Sequence, residues 1–351
     1  MKKIYPMAQA ILAAILFGIS APISKLLLGY VDPITMAAFL YLGSGAGMLL
    51  LRTIQRLNPN FKGAEAKINK SDIKWIIGAI IAGGVLAPII LMFSLPETPA
   101  LTASMLLNFE SVATTLIAVL VFREAIGRRI WIAVALITVA SIMLSWNFNG
   151  KFGFSIGALG VVLACILWGI DNNFTRNISA KDPFIIVAIK GLGAGTFSLL
   201  LVFITKSNFP GIKLVLGTML LGFISYGLSI VLFIYAMRSL GASRTSAFFG
   251  TAPFMGAILS FLIFHELPNV LFYISLPLMV FGAVLIFREK HGHLHSHIPF
   301  GHEHRHNHKD GHHDHKHSEA QNVEHSHYHQ HENIEHSHSH KPDIHHRHKH
   351  Y

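Results

Sequence analysis

Up to about residue 290 the chain alternates long apolar runs with short polar breaks, and beyond that point it holds almost no apolar residue. Ten runs stand out, at 7–28, 34–51, 73–95, 100–122, 130–144, 155–173, 184–204, 214–237, 242–264 and 270–287. Most have the length of about 20 apolar residues that a helix needs to cross roughly 30 Å of hydrocarbon, so each predicts a transmembrane helix. The fifth and sixth are the shortest or most polar at their ends. Several are rich in Gly and Ala, as in LGSGAG at 42–47 and GAIIAGG at 78–84. Small residues of this kind let helices approach closely where lipid supplies no hydrophobic drive between them.

The runs fall into two sets of five that carry the same punctuation. ILFGISAPISK at 15–25 is followed by Asp32-Pro33 and then Gly43 and Gly45, and ILWGIDNNFTR at 166–176 by Asp182-Pro183 and then Gly193 and Gly195. VLVFRE ends at Glu124 and FLIFHE at Glu266, each before one last run. This predicts two five-helix repeats, residues 1–147 and 148–289, and a tail over 290–351. Five is odd, so the second repeat must enter the bilayer from the opposite side. Inverted repeats of this kind form a site at their shared interface.

Charge sets the orientation. Lys and Arg cluster at Lys2, Lys3, between Arg52 and Lys74, and at Arg123, Arg128, Arg129, Arg176, Lys181, Arg238, Arg244, Arg288 and Lys290, all on one side of the expected bilayer. The other side carries Lys25, Lys151, Lys206 and Lys213. By the positive-inside rule both termini are cytoplasmic. The formal charge of +10 is therefore a matter of topology, and the lipid bilayer rather than nucleic acid is the expected partner. Nothing in the pattern specifies an oligomeric state. The basic, apolar N-terminus imitates a secretory signal, but no small-x-small cleavage site follows and the run matches the sixth, so it is expected to stay as a helix. The single Cys165 excludes an internal disulfide. His265-Glu266 opens like a zinc-protease HExxH, yet Asn269 stands in the fifth position, and the glycine sets follow no soluble strand. No enzyme activity and no catalytic residue is expected.

In their order and spacing, the FG or WG of each first helix, the DP opening the next and the Glu-ended helix before the last resemble the EamA-type members of the drug/metabolite transporter superfamily. The resemblance covers about residues 7–287. It implies an all-α integral membrane fold of ten transmembrane helices in two inverted five-helix repeats. It also implies the inner (plasma) membrane of a prokaryote and alternating-access movement of a small solute (a metabolite, amino acid or drug-like compound), with export the expected direction. One place departs from the pattern: such proteins often have Pro in the middle of the fourth helix, where this chain has Asn108-Phe109-Glu110, while Pro253 keeps it in the ninth.

Three ionisable residues lie within apolar runs: Glu110, Asp171 and Lys190. Each would cost about 2.5–3.5 kcal/mol at the bilayer centre on insertion scales unless it faced a partner or water. Glu110 and Asn108, flanked by Ser111, Thr114 and Thr115, form a small polar face, and Glu110 is the first candidate for a proton or cation site, against a purely structural hydrogen-bonding role. Desolvation favours the protonated acid and would suit proton exchange near neutral pH. Asp171, Asn172 and Asn173 read either as a cytoplasmic helix end touching Arg176 or as part of the pathway. Lys190 either snorkels to the interface or pairs with Glu110 or Asp171. The expected transport pathway is thus Glu110, Asn108, Asp171, Asn172 and Lys190. Glu124 and Glu266 read as helix-end caps or gate contacts.

The tail holds every histidine except His265, mostly as alternating HxH. With so little to bury it should be disordered without a ligand. In an extended chain every second side chain shares a face, so neighbouring imidazoles suit a divalent transition metal such as Zn, Ni, Co or Cu. The candidate ligands are His291, His293, His295, His297, His302, His304, His306, His308, His312, His313, His315, His317, His325, His327, His329, His331, His336, His338 and His340. Free histidine titrates near about 6.5, so a pH-responsive tail is the competing reading, and an appendage without a specific task is a third. No cofactor is required by the membrane part. Two alternatives to a solute carrier with a metal-responsive tail follow: a divalent Ni, Co or Zn exporter that collects metal on the tail, and a membrane-anchored metal sensor or reservoir.

Overall fold

A computed structural model describes residues 4–57, 66, 68–121, 127–146, 155–179, 181–240, 245, 248–265, 267–268 and 270–287, and four tail segments, 291–296, 301–306, 325–330 and 335–340. Glu124 and Glu266 lie outside these residues.

The membrane body is helical. Its elements are α1 (Ile4–Gly18), α2 (Ser20–Leu27), α3 (Pro33–Leu57), α4 (Ile73–Ala79), α5 (Ala87–Ser94), α6 (Ala100–Leu106), α7 (Phe109–Leu120), α8 (Arg128–Ser145), α9 (Ile156–Ile178), α10 (Pro183–Ile204), α11 (Ile212–Gly222), α12 (Ser229–Leu240), α13 (Ala252–Phe264) and α14 (Val270–Phe287). Two π-helical segments, Ile80–Leu86 and Phe223–Leu228, join α4 to α5 and α11 to α12. Among the described residues, eight helical spans taken end to end are long and apolar enough to cross a membrane, and Ala252–Phe264 and Val270–Leu285 are shorter apolar helices.

The breaks recur in both halves. The third and eighth runs each contain a π segment. The fourth run breaks at Leu107–Asn108, and the ninth turns at Gly250–Thr251 before α13 starts. The sixth run goes five residues further than its apolar pattern, to Ile178. Asn is ordinarily a poor helix residue because its amide competes for backbone groups. Here Asn173 Nδ2 donates to the carbonyls of Gly169, one turn back at 2.8 Å, and of Thr114 at 3.0 Å. Asp171 and Asn172 are therefore not at a helix end.

The centre of the body is the pair α3 and α10. Gly45 packs on Gly191 and Leu192, and Gly195 on Leu42, so rising numbers on one helix meet falling numbers on the other and the two run antiparallel. A Cβ at Gly191 would sit 2.8 Å from the Tyr41 carbonyl oxygen, and one at Gly43 would enter the Met219 backbone. Such close approach needs glycine. At one end Asp182 caps α10, accepting from Phe184 N at 3.0 Å, and binds Arg52 Nη2 of α3 at 2.6 Å with both side chains buried. Pro183 follows at the first helical position, where no N–H is needed. At the other end Asp32, before α3, accepts from the backbone N of Asn208, beyond α10, at 2.9 Å. Each Asp-Pro thus meets the far end of the other helix.

Four segments of the tail are among the described residues. Its backbone pairs into two antiparallel ladders, β1 (His291–Ser296) with β4 (Glu335–His340) and β2 (Gly301–His306) with β3 (His325–Gln330). The register sets His291 opposite His340, His293 opposite His338 and His295 opposite His336, and likewise His302 with His329, His304 with His327 and His306 with His325. The period of two in HxH is the period of a strand, which accounts for the matching register.

Candidate functional site

Asn108 stands at the break between α6 and α7, and Glu110 falls in the first turn of α7. Across from it, Asn172 of α9 donates from Nδ2 to Glu110 Oε1 at 2.7 Å and to Thr114 Oγ1 at 3.2 Å. Glu110 is half-buried and Asn172 exposed, so this pair borders open space. Asn108 is 3% exposed and its Nδ2 has no hydrogen-bond partner. Cys165 lies under the break, its thiol 3.6 Å from the Leu106 carbonyl oxygen.

One residue before Asn172, Asp171 binds Lys190 of α10, with Nζ 2.6 Å from Oδ1 and 2.8 Å from Oδ2. Thr175, one turn on, donates to Asp171 Oδ1 at 2.8 Å and accepts from Lys190 Nζ at 3.0 Å. The side chains are 10% and 15% exposed. Lys190 is thus an ion partner of Asp171, and its ammonium is held within the protein rather than carried to the interface. The reason is packing: α9 and α10 bring the two residues together, and Gly83 leaves room, since a Cβ there would collide with the Asp171 carboxylate.

Gly83 has a second role. In the π segment the N–H of Ala87 bonds the carbonyl of Ala82, five residues back. The same register would pair the Gly83 carbonyl with residue 88, which is Pro88 and has no N–H. That oxygen instead accepts from Tyr41 Oη at 2.6 Å and Trp168 Nε1 at 3.0 Å. Buried polar groups of aromatic residues ordinarily find a partner, and here one freed carbonyl fixes two rings.

Those rings belong to a cluster. Phe17 lies 6.3 Å from Trp168, 5.8 Å from Tyr226 and 5.1 Å from Phe249, and Tyr41 lies 5.4 Å from Tyr226. Replacing Gly83 by alanine should strain Asp171 and both fixed rings together. The expected loss is about 1–3 kcal/mol, typical of overpacking, seen as a lower melting temperature in detergent.

At the other end of these helices the halves are in contact. Lys25 of α2 donates to the Thr98 carbonyl and lies 5.8 Å from the centre of the Phe264 ring. Ser104 and Ser260 hydroxyls are 3.1 Å apart, and Gly18 packs on Gly256.

Of the expected pathway residues, Glu110 and Asn172 touch, Asp171 and Lys190 pair beside them, and Asn108 sits two residues from Glu110 without a hydrogen bond from its amide nitrogen. The sequence reading did not single out Gly83, Tyr41, Trp168, Thr175, Tyr226 or Phe17. One signal was available: Phe17 and Trp168 are equivalent positions of the repeat, both aromatic before glycine. Among the described residues no group of three or more His, Cys, Asp and Glu is placed to hold a metal. Of the tail ligands, His297, His308, His312, His313, His315, His317 and His331 lie outside the described residues.

Comparison with known proteins agrees with this architecture. The EamA-like transporter family matches residues 5–146 and again 155–288. A protein of Methanothermobacter thermautotrophicus described as an uncharacterized transporter is 28% identical over 301 residues, spanning 82% of this chain and 87% of its own. A protein of known crystal structure superimposes with a TM-score of 0.57 at 16% identity, over 79% of this chain and 95% of its own, a likeness of fold alone. Two family matches that coincide with the two sets of apolar runs account for most of the chain, and this multi-pass membrane protein belongs to the EamA-like transporter family, carriers of small solutes.

Proposed function

We propose that the chain is a ten-span secondary transporter that moves a small solute by alternating access, as an exporter, in the inner membrane of a prokaryote with both termini in the cytoplasm. The reciprocal Asp-Pro contacts of antiparallel α3 and α10 support two repeats inserted upside down to each other, with the solute site between them. The observation that carries the reading is the Glu110–Asn172 pair, set at a helix break and bordering open space. A carboxylate at membrane depth is a functional group by default, since its insertion cost is otherwise unrepaid. Glu110 acts as the proton or cation site, and Asp171 with Lys190 shapes the field around it.

Flux into liposomes tests this. With a pH gradient imposed, Glu110→Gln should slow gradient-driven transport at least about tenfold, the equivalent of ~1.4 kcal/mol. Unchanged flux in the variant would remove Glu110 from the pathway.

A second reading concerns the tail as a regulatory binder of Zn, Ni, Co or Cu. The His-to-His register of both ladders favours it, because imidazole suits these ions.

A further inference from the structure

We infer that each ladder of the tail takes one four-coordinate divalent transition-metal ion, such as Zn²⁺, across its two strands, so that the ion ties the start of the tail to its end. This rests on the second reading above, the tail as a metal binder, and adds the ligand sets and the strand pairing they require.

Register is the first ground. His291 pairs with His340 and His306 with His325, and the stretches 291–306 and 325–340 are equally long, so both ladders keep one hairpin register. When two alternating segments pair antiparallel, one parity sets His opposite His at every second rung and the other sets it opposite a spacer. Both ladders take the first, with three His-on-His rungs in each. By the period of two, the three rungs of a ladder fall on one face of its ribbon.

Distance is the second ground. Residues directly opposite in an antiparallel pair have Cβ atoms about 4.5–5.5 Å apart, whereas the two positions of one HxH lie roughly 6.5–7 Å apart along the strand. The nearer partner of each histidine position is therefore across the ladder. Zinc takes four ligands in a tetrahedron, at about 2.0–2.1 Å from a histidine nitrogen. Two adjacent rungs supply four histidines, as His293, His338, His295 and His336 do in β1 with β4. The rungs of β2 with β3 repeat the arrangement. Three rungs provide for one such ion and not for two.

Stability is the third. A two-stranded ribbon on its own is marginal in water, and the spacers paired on the other face, Gly292 with Ser339, Leu294 with Ser337 and Ser296 with Glu335, offer no continuous apolar surface. Where a site does not exist in the unfolded chain, the free energy of metal binding is free energy of folding. The described residues hold no ready-made group of ligands; the register supplies nearness, and the ion gathers the rings.

The test titrates Zn²⁺ into the full chain in detergent against a chromophoric chelator. One variant carries His291→Ala, His293→Ala and His295→Ala, a second carries His336→Ala, His338→Ala and His340→Ala, and a third carries all six. Each triple variant should lose one tight ion, its affinity falling at least about tenfold, and the sixfold variant should lose no more than either triple. A sixfold variant that loses two ions where each triple loses one would place an ion within each strand and overturn the inference, while leaving the tail a metal binder. A parent that takes up no tight Zn²⁺ would sink that broader reading as well. Spin labels at Leu294→Cys and Ser337→Cys, opposite each other in the register, should give one short, narrow distance with Zn²⁺ bound. A distribution that stays broad with Zn²⁺ bound would overturn the inference.

Discussion

Replacing Lys190 by alanine should destabilise the protein by about 3–5 kcal/mol, the usual consequence of removing one partner of a buried ion pair. The Asp171 carboxylate is 10% exposed and would keep the Thr175 hydroxyl as a donor but lose its paired cation. It also cannot swing away freely, because it is seated against Gly83. The larger part of the loss comes from the stranded charge rather than from the missing bond. Asp171→Asn combined with Lys190→Met removes both charges at similar volume, and this double variant should recover most of the stability. Thermal melting in detergent of the parent, the single variants and the double variant reads the coupling directly. Single and double variants that melt alike would show that the pair is not what holds α9 to α10.

The second large effect contrasts two copies of one motif. Asp182→Ala removes the buried carboxylate that balances Arg52, for about 3–5 kcal/mol, and removes the cap on Phe184 N, for about 1 kcal/mol more. Asp32→Ala loses a hydrogen bond from the Asn208 backbone, for about 0.5–1.5 kcal/mol. The ordering should appear both in melting temperature and in the yield of folded protein. Arg52→Met in the Asp182→Ala background should restore part of the loss, since the buried cation that Asp182 balanced is then gone. Equal effects at Asp32 and Asp182 would contradict the buried pairing at 2.6 Å.

Much of this was legible along the chain. The third, fourth and seventh runs begin or end within a few residues of the helices found, since run length against bilayer thickness leaves little choice. Glu110, Asp171 and Lys190 were marked because charge inside an apolar run is costly, and they do gather in one place. Their pairing was not legible. Lys190 had Glu110 and Asp171 as equal candidates, and the distance that separated them depends on how α9 sits against α10. In the tail the alternation of histidines that suggests a ligand pattern is also the period of strand pairing, and the sequence alone set no register between its segments.

Gly83 shows why the remainder needed the fold. Its importance comes from a π register that leaves its carbonyl facing Pro88, and from two rings supplied by Tyr41 and Trp168, 42 and 85 residues away. No local pattern encodes contacts at that range. By itself the sequence determined the membrane spans, their duplication and the presence of charge at depth, because hydrophobic length and the cost of burying charge act on each segment alone. Only the tertiary structure decided that Lys190 binds Asp171 while Glu110 receives the neutral amide of Asn172, and that Asp182 is buried while Asp32 is partly exposed, because electrostatic balance belongs to groups brought together by packing.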